Sequence, residues 1–344
     1  MNRILALVVA FIIGYALNNI NMPIPWMLGG IFAALLGKIS GKYQVSWPRA
    51  WRNYGLVVVG YGIGRYVTPQ VVSEALRQIP GIVGATLVAV LIAVAISVFM
   101  YKYNGVDLQS VIMGIMPGGF TQMTAMSDED ARVDQNIVAV LQSLRLITII
   151  VMVPLLVKQL LHAQVQNTAI SLTVADGVSF WYFLPFCYIM GIFMEKIKSA
   201  TPYLMGPIIL AAAGAVYFGQ INTAPAALMA LAQLSIGIYV GSGLDPVRLR
   251  SLRQLLPATF AGIFAMLFAS IGVAYLLSDV YSFSLVTSFL AMAPGGLGEM
   301  CLVGMSLGEN VAIILTYQMF RFLFLNLAVP FGIARYFGPA IPRE

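Results

Sequence analysis

Charge is what this sequence has least of. Only 9% of its 344 residues are Asp, Glu, Lys or Arg, against roughly 25% in a soluble domain. Hydrophobic residues make up 60%, and the mean hydropathy is +0.89. That balance excludes a water-soluble globule and describes an integral membrane protein. Histidine is scarcer still. His162 is the sole one, which argues against a copper, iron or zinc redox centre, because imidazole is the usual ligand. Cys187 and Cys301 lie far apart in apolar runs and imply no disulfide framework. No phosphate-cradling P-loop motif is present, which disfavours an ATP-driven pump. The net charge of +6 is scattered through loops rather than gathered on one face, as cytoplasmic loops of a membrane protein would have it and a nucleic-acid interface would not. No cofactor, no metal, no nucleic-acid partner and no enzymatic activity are expected.

What the chain does have is long apolar stretches, several of the roughly 20 residues that a membrane helix needs, and a repeat. Ile24-Pro25-Trp26-Met27-Leu28-Gly29 matches Thr201-Pro202-Tyr203-Leu204-Met205-Gly206, 177 positions on. The same separation pairs Gly60 with Gly237, Gly64 with Gly241, Thr68-Pro69 with Asp245-Pro246, Pro80 with Pro257 and Pro117 with Pro294. One residue is then lost, and Gln142 pairs with Gln318, Arg145 with Arg321 and Pro154 with Pro330 at a separation of 176. A register held this long marks a tandem duplication. The N-terminal run resembles a signal peptide, but its glycine and proline pattern has a counterpart in the second half, so it is expected to be a retained first helix. The expected organisation is a membrane repeat over 1–161, a polar linker over 162–178 and a second membrane repeat over 179–344.

Within each repeat the pattern predicts six segments. In the first they are helix a (2–18), helix b (22–38), a short glycine-rich helix c (53–66), helix d (80–101), segment e (108–127) and helix f (134–160). Between c and d, Thr68-Pro69 reads as an N-cap with Pro at the first helical position, opening a short amphipathic helix at the interface. Segment e is broken by Met116-Pro117-Gly118-Gly119-Phe120-Thr121-Gln122-Met123, and its counterpart by Ala293-Pro294-Gly295-Gly296-Leu297-Gly298-Glu299-Met300. Proline removes a donor and clashes with the preceding turn, while Gly-Gly lets the chain double back.

The basic residues change sides between halves. Lys38, Lys42, Arg49 and Arg52 follow helix b, and the counterpart stretch 215–229 has none; Lys196 and Lys198 stand where the first half has none. That reversal is the sign of inverted repeats. With a, b, c, d and f spanning and e re-entrant, fourteen of the nineteen Lys and Arg fall on the cytoplasmic side, three (Arg65, Arg77 and Lys158) fall outside, and Arg145 and Arg321 lie in the membrane. The expected fold is therefore an all-α polytopic membrane protein of two inverted-topology repeats, each with about five spans and a broken re-entrant hairpin. It would sit in a bacterial inner membrane with both termini cytoplasmic. Full crossing by e, with another segment not crossing, fits almost as well.

Arg145 and Arg321 are the first candidates for chemistry, since a charge at mid-membrane costs roughly 2.5–3.5 kcal/mol on insertion scales. Two readings stand: each guanidinium contacts an anionic solute, or each satisfies bare carbonyls of the neighbouring break. Glu299 stands where the first half has Gln122, and a carboxylate there is a candidate proton or sodium coupling group, or a partner for Arg321. Thr121, Gln122, Thr124, Gln142 and Gln318 add neutral polar groups. Helix arms starting at Gly119 and Gly296 would aim backbone N–H groups at the tip. The substrate-binding set is thus Pro117, Gly118, Gly119, Thr121, Gln122, Gln142, Arg145, Pro294, Gly295, Gly296, Glu299, Gln318 and Arg321. The run Asp128, Glu129, Asp130 and Asp134 reads as a solvated loop and helix start, with metal binding the sharper alternative. Glu74, Asp107, Asp176 and Asp279 read as ordinary loop charges.

Two halves that each join a Pro-Gly-Gly break to a Gln-x-x-Arg helix resemble the AbrB-type family of duplicated bacterial inner-membrane proteins, which is distinct from the small soluble DNA-binding regulator of the same name. The carrying motifs are Pro117-Gly118-Gly119 with Gln142-Ser143-Leu144-Arg145, and Pro294-Gly295-Gly296-Leu297 with Gln318-Met319-Phe320-Arg321, over nearly the whole chain. The resemblance brings labels as a regulator of another gene's expression and as an ammonia monooxygenase. One histidine and two separated cysteines do not build a familiar oxygenase centre, and a membrane protein would affect expression indirectly, by moving a metabolite. The leading expectation is a secondary transporter of a small anionic organic solute, coupled to H⁺ or Na⁺ and working by alternating access, with the lipid bilayer as its surroundings and a homo-oligomer as its state. The alternative is a membrane regulator or sensor that binds a solute without moving it.

Overall fold

The computed structural model describes residues 2–40, 46–159, 161, 180–219, 221–338 and 340–341. The expected linker, with His162 and Asp176, lies outside the described residues. The rest is helical, with no strand among the described residues. The first half supplies α1 (Asn2–Asn19), α2 (Pro25–Ser40), α3 (Arg49–Gly64), α4 (Pro69–Arg77), α5 (Ile79–Asn104), α6 (Leu108–Ile115), α7 (Phe120–Glu129) and α8 (Gln135–Gln159). The second supplies α9 (Phe180–Lys196), α10 (Pro202–Phe218), α11 (Ala226–Gly243), α12 (Pro246–Ser251), α13 (Leu256–Tyr281), α14 (Leu285–Met292), α15 (Leu297–Leu307) and α16 (Val311–Phe337), with one 3-10 turn at Arg253–Leu255. The same eight elements recur in the same order.

Local chemistry sets the boundaries. Thr68 Oγ1 accepts from Val71 N at 3.4 Å, and Pro69 opens α4. Helix c starts earlier than its apolar pattern suggests, because Pro48 ends the extended entry and the amides of Trp51 and Arg52 turn back onto its carbonyl. Segment e is two helices. α6 stops at Ile115, since Pro117 has no N–H to continue the ladder, and α7 restarts after Gly119, with no side-chain cap there. Asp107 is not an ordinary loop charge: its carboxylate caps α6, accepting from Ser110 N at 2.7 Å and Gln109 N at 3.3 Å. Its counterpart Ser284 caps α14 through Thr287 N at 2.9 Å.

Five helical stretches are long and apolar enough to cross a membrane: Ile79–Asn104, Gln135–Gln159, Ala226–Gly243, Arg253–Tyr281 and Val311–Phe337. Apolar side chains also line exposed helix faces at four-residue steps, Leu323, Leu327 and Phe331 on α16 and Ile4, Val8 and Ile12 on α1. Water penalises such stripes at about 25 cal/mol per Å², whereas lipid tails do not.

The chain divides into two compact units, each drawn from both halves. Unit 1 comprises residues 1–77, 153–243 and 298–315. Here α2 packs on α1 and α11, and α3 on α10, α9 and α11. The crossings are backbone-tight. A Cβ on Gly60 of α3 would fall 2.6 Å from the Leu204 carbonyl oxygen of α10, and one on Gly237 of α11 would collide with the Met27 carbonyl oxygen of α2. Gly64 against Ile208 and Gly241 against Ile31 repeat the arrangement. Each glycine-rich helix therefore seats on the proline-started helix of the other half, twice, at equivalent positions.

Unit 2 comprises residues 78–152, 244–297 and 316–344. Its core joins Ala93 and Met100 of α5, Met113 and Ile115 of α6, Val138 and Leu141 of α8, Met266 of α13 and Leu325 and Val329 of α16. α13 packs on α5 and α14, and α5 on α6.

Candidate functional site: two clamped helix breaks

An α-helix leaves its last carbonyls without partners, and α6 and α14 end inside protein. The Pro-Gly-Gly phrase that follows continues no helix, its proline has no N–H to give, and in the first break only Gly118 N reaches back, to the Met116 carbonyl at 2.8 Å. On α8, Gln142 and Arg145 stand three apart and so share a face. Gln142 Nε2 donates to the Met113 carbonyl at 2.6 Å and to that of Met116 at 3.2 Å. Arg145 donates through one terminal nitrogen to the Ile115 carbonyl at 2.9 Å and to Met116, and through the other to Gln142 Oε1 at 2.8 Å.

The second break repeats each of these bonds and adds one to Gly295. Gln318 Nε2 donates to the carbonyls of Leu290 at 2.7 Å and Ala293 at 3.1 Å. Arg321 donates to Met292 and Ala293, both at 2.8 Å, to Gly295 at 3.4 Å, and to Gln318 Oε1. The acceptors stand 177 residues apart between halves and the donors 176, the register of the sequence repeat. Arg145 and Arg321 are only 5% and 3% exposed. Each cation meets the partial negative charge at a helix C-terminus, so the geometry puts both guanidiniums on the carbonyls of the breaks. The two lie within electrostatic reach of one another in unit 2.

Of the other candidates, Pro117 and Pro294 are buried, while Gly118, Gly119, Gly295 and Gly296 are half-buried at the bends. Thr121 belongs to α7 by its backbone, and its side chain lies outside the described residues. Gln122 Nε2 donates to the Asn326 carbonyl at 2.9 Å. All of these lie in unit 2. Glu299 belongs to unit 1, half-buried on the first turn of α15.

The acidic run divides. Asp128 and Glu129 are exposed, and Asp134 Oδ1 caps α8 through Asn136 N at 2.8 Å. Asp130 corrects the expectation of a solvated loop. It is 2% exposed, with Oδ2 accepting from Arg132 at 2.7 Å and from Gln109 Nε2 at 2.9 Å. Arg132 also reaches the Phe337 carbonyl, and Ala131 N donates to the Ile341 carbonyl at 2.8 Å. The Arg132 hydrogen bonds hold the Asp130 carboxyl well below the usual carboxylate range, against the opposing effect of burial. Among the described residues no three His, Cys, Asp or Glu side chains converge as a metal site would need.

One pair escaped the sequence reading. The Arg52 guanidinium of α3 lies over the Tyr239 ring of α11, 4.9 Å from its centroid, in unit 1. The available signal was a break in the repeat: the counterpart of Arg52 is Met229 and that of Tyr239 is Gly62.

A relative from Escherichia coli (strain K12), named "Putative regulator AbrB", is 24% identical over 343 residues, covering 98% of this chain and 97% of its own. "Uncharacterized protein YhjN" of Bacillus subtilis (strain 168) is 24% identical over 345 residues, covering 92% of this chain and 88% of its own. The family model described as "Transition state regulatory protein AbrB" matches residues 26–337, taking in both clamped breaks, and the chain belongs to the AbrB family.

Proposed function

We propose that this protein is a secondary transporter of a small anionic organic solute, coupled to H⁺ or Na⁺ and working by alternating access in a bacterial inner membrane. One observation carries the reading: two helices broken at Pro-Gly-Gly within apolar sequence are held open by the same buried Gln–Arg clamp. Backbone that leaves the helix at membrane depth is tolerated only where protein buries it or a wet cavity meets it, and paired discontinuous helices are the means by which repeat-built carriers form their sites.

The repeats are inverted on this reading. The reversal of Lys and Arg between halves supports it, as does the exchanged packing of α3 on α10 and α11 on α2, which is what a two-fold relation between halves would produce. Ten spans follow: α1, α2, α3, α5 and α8 with their counterparts. The 16–18-residue members fall short of the usual ~20 and are the ones packed most tightly through glycine. The α6–α7 and α14–α15 pairs are re-entrant, both termini are cytoplasmic, and the protein assembles as a homo-oligomer.

Uptake into proteoliposomes, with a panel of carboxylates and other small metabolites under imposed H⁺ and Na⁺ gradients, tests the transport. Gradient-driven accumulation of one solute class is expected. Binding without flux under any gradient would overturn it in favour of a membrane sensor, a role nearer the regulator in the name of the E. coli relative. Topology is tested with Ser40→Cys and Phe218→Cys, since both native cysteines are buried. Labelling of the two from opposite faces is expected, and labelling of both from the periplasm would end the inverted arrangement.

A further inference from the structure

The chain's most deeply buried charges are spoken for: Arg145 and Arg321 by carbonyls, Asp130 by Arg132. Arg52 and Glu299, both half-buried in unit 1, are not. Arg52 stands on the first turn of α3 and Glu299 on the first turn of α15. Among the described residues the Arg52 side chain makes no hydrogen bond or ion pair, and the Glu299 side chain makes none with another residue, its own backbone N–H being its one hydrogen-bond neighbour. Each lies within the other's electrostatic reach, yet the two heads are not in contact.

Arg52 is held in place without using its donors. The approach to α3 is pinned to α11 where Trp47 Nε1 donates to Ser235 Oγ at 2.9 Å, and one turn further along α11 the Tyr239 ring supports the guanidinium. A guanidinium held over a ring by a cation–π contact keeps its N–H groups for a forked bond to a carboxylate. Side chains of unit 1 bring α15 to the same neighbourhood: the Met305 methyl lies 3.5 Å from where a Gly62 Cβ would stand on α3, and Gly298 faces Leu204 of α10.

The other half provides a built-in control. Met229 and Gly62, the counterparts of Arg52 and Tyr239, also meet, the Met229 methyl lying 2.7 Å from where a Gly62 Cβ would stand. The counterpart of Glu299 is Gln122, which is bonded to backbone. The Arg52–Tyr239 position thus has an apolar, filled counterpart in Met229 on Gly62, and is charged here. Architecture shared by duplication does not call for that difference, whereas a ligand does.

We infer that Arg52, Tyr239 and Glu299 form a solute site for a small carboxylate that carries a hydrogen-bond donor a few atoms from its carboxylate, as hydroxy acids and amino acids do. Arg52 takes the carboxylate through a forked bond, Tyr239 holds the guanidinium, and Glu299 accepts from the donor. The inference deepens the transport reading and rests on it for movement of the solute, not for binding.

The test is thermal unfolding of the purified full chain in detergent with six probes in two series: propionate, lactate and alanine; succinate, malate and aspartate. Within a series, the hydroxy or the amino member is expected to raise the midpoint more than the unsubstituted acid, and whichever arm does so names the source of the donor. Arg52→Gln should abolish the shifts, and Arg52→Lys, which keeps the charge but loses the fork, should weaken binding about tenfold. Glu299→Gln should leave a carboxylate shift and remove the preference for donor-bearing members. No shift with any of the six, or a shift that survives Arg52→Gln and Arg52→Lys unchanged, would overturn the site. Binding at this site without uptake sinks transport alone, while uptake of a solute indifferent to Arg52 sinks the site alone.

Discussion

The two broken segments are alike up to the break and different after it. On the approach they share an N-cap, Asp107 in one and Ser284 in the other, an eight-residue helix, and a Gln–Arg clamp on matched carbonyls. Beyond it, the first segment is tied down. Gln122 bonds the Asn326 carbonyl, and Asp130 with Arg132 locks the exit of α7 to the end of the chain. The second carries Glu299 without a partner residue, and Leu307 where the first has Asp130. Duplication preserved what holds a break open. Divergence left one segment fastened and the other with a charge to spare, so specificity is to be sought in the second.

The comparison breaks most plainly at the clamps. Arg145→Ala and Arg321→Ala should each destabilise severely and to the same degree, because each takes a donor from a buried helix-end carbonyl, Ile115 or Met292, and from the Oε1 of the clamp glutamine, at about 1–3 kcal/mol apiece. Loss of the monodisperse peak in detergent chromatography, or a collapse of the unfolding midpoint, is the measure. Tolerance of one variant but not the other would refute the equivalence. Asp130→Asn should come next, and only the first segment has such a lock. A carboxyl with a lower pKa folded than unfolded adds stability above its unfolded value near 4 and loses it as pH falls. The wild type should therefore unfold above Asp130→Asn at pH 7, with the gap closing as pH drops below about 4. Gln122→Ala removes one neutral hydrogen bond and should cost about 0.5–1.5 kcal/mol. Glu299→Gln should cost nothing measurable in stability, as it breaks no contact with another residue. A midpoint loss as large as that of Gln122→Ala would show that Glu299 is structural after all.

Much of this was readable from residues. The repeat register located every paired element, and Pro-Gly-Gly placed the breaks because the chemistry of proline is local. The clamps were half-readable: Arg145 and Arg321 had to meet something polar, and bare carbonyls were one of two choices. Contacts distant in sequence were not readable. Asp130 looked solvated because Gln109 and the chain end at 337–341 reach it only through folding, and Arg52 meets Tyr239 across most of the chain. Asp107 was misjudged for a different reason. Its cap is local, but a single acid before an apolar run looks the same whether it caps or floats, and only its match to Ser284 separates the two.

The exchanged seating of α3 and α11 has a consequence for assembly. Neither half of the polypeptide can finish unit 1 alone, because the surface that receives its glycine-rich helix is encoded in the other half. A lone half is an incomplete object with a backbone-wide groove exposed, whereas two halves translated as separate chains contain every complementary surface. The protein is in this sense a dimer written as one gene.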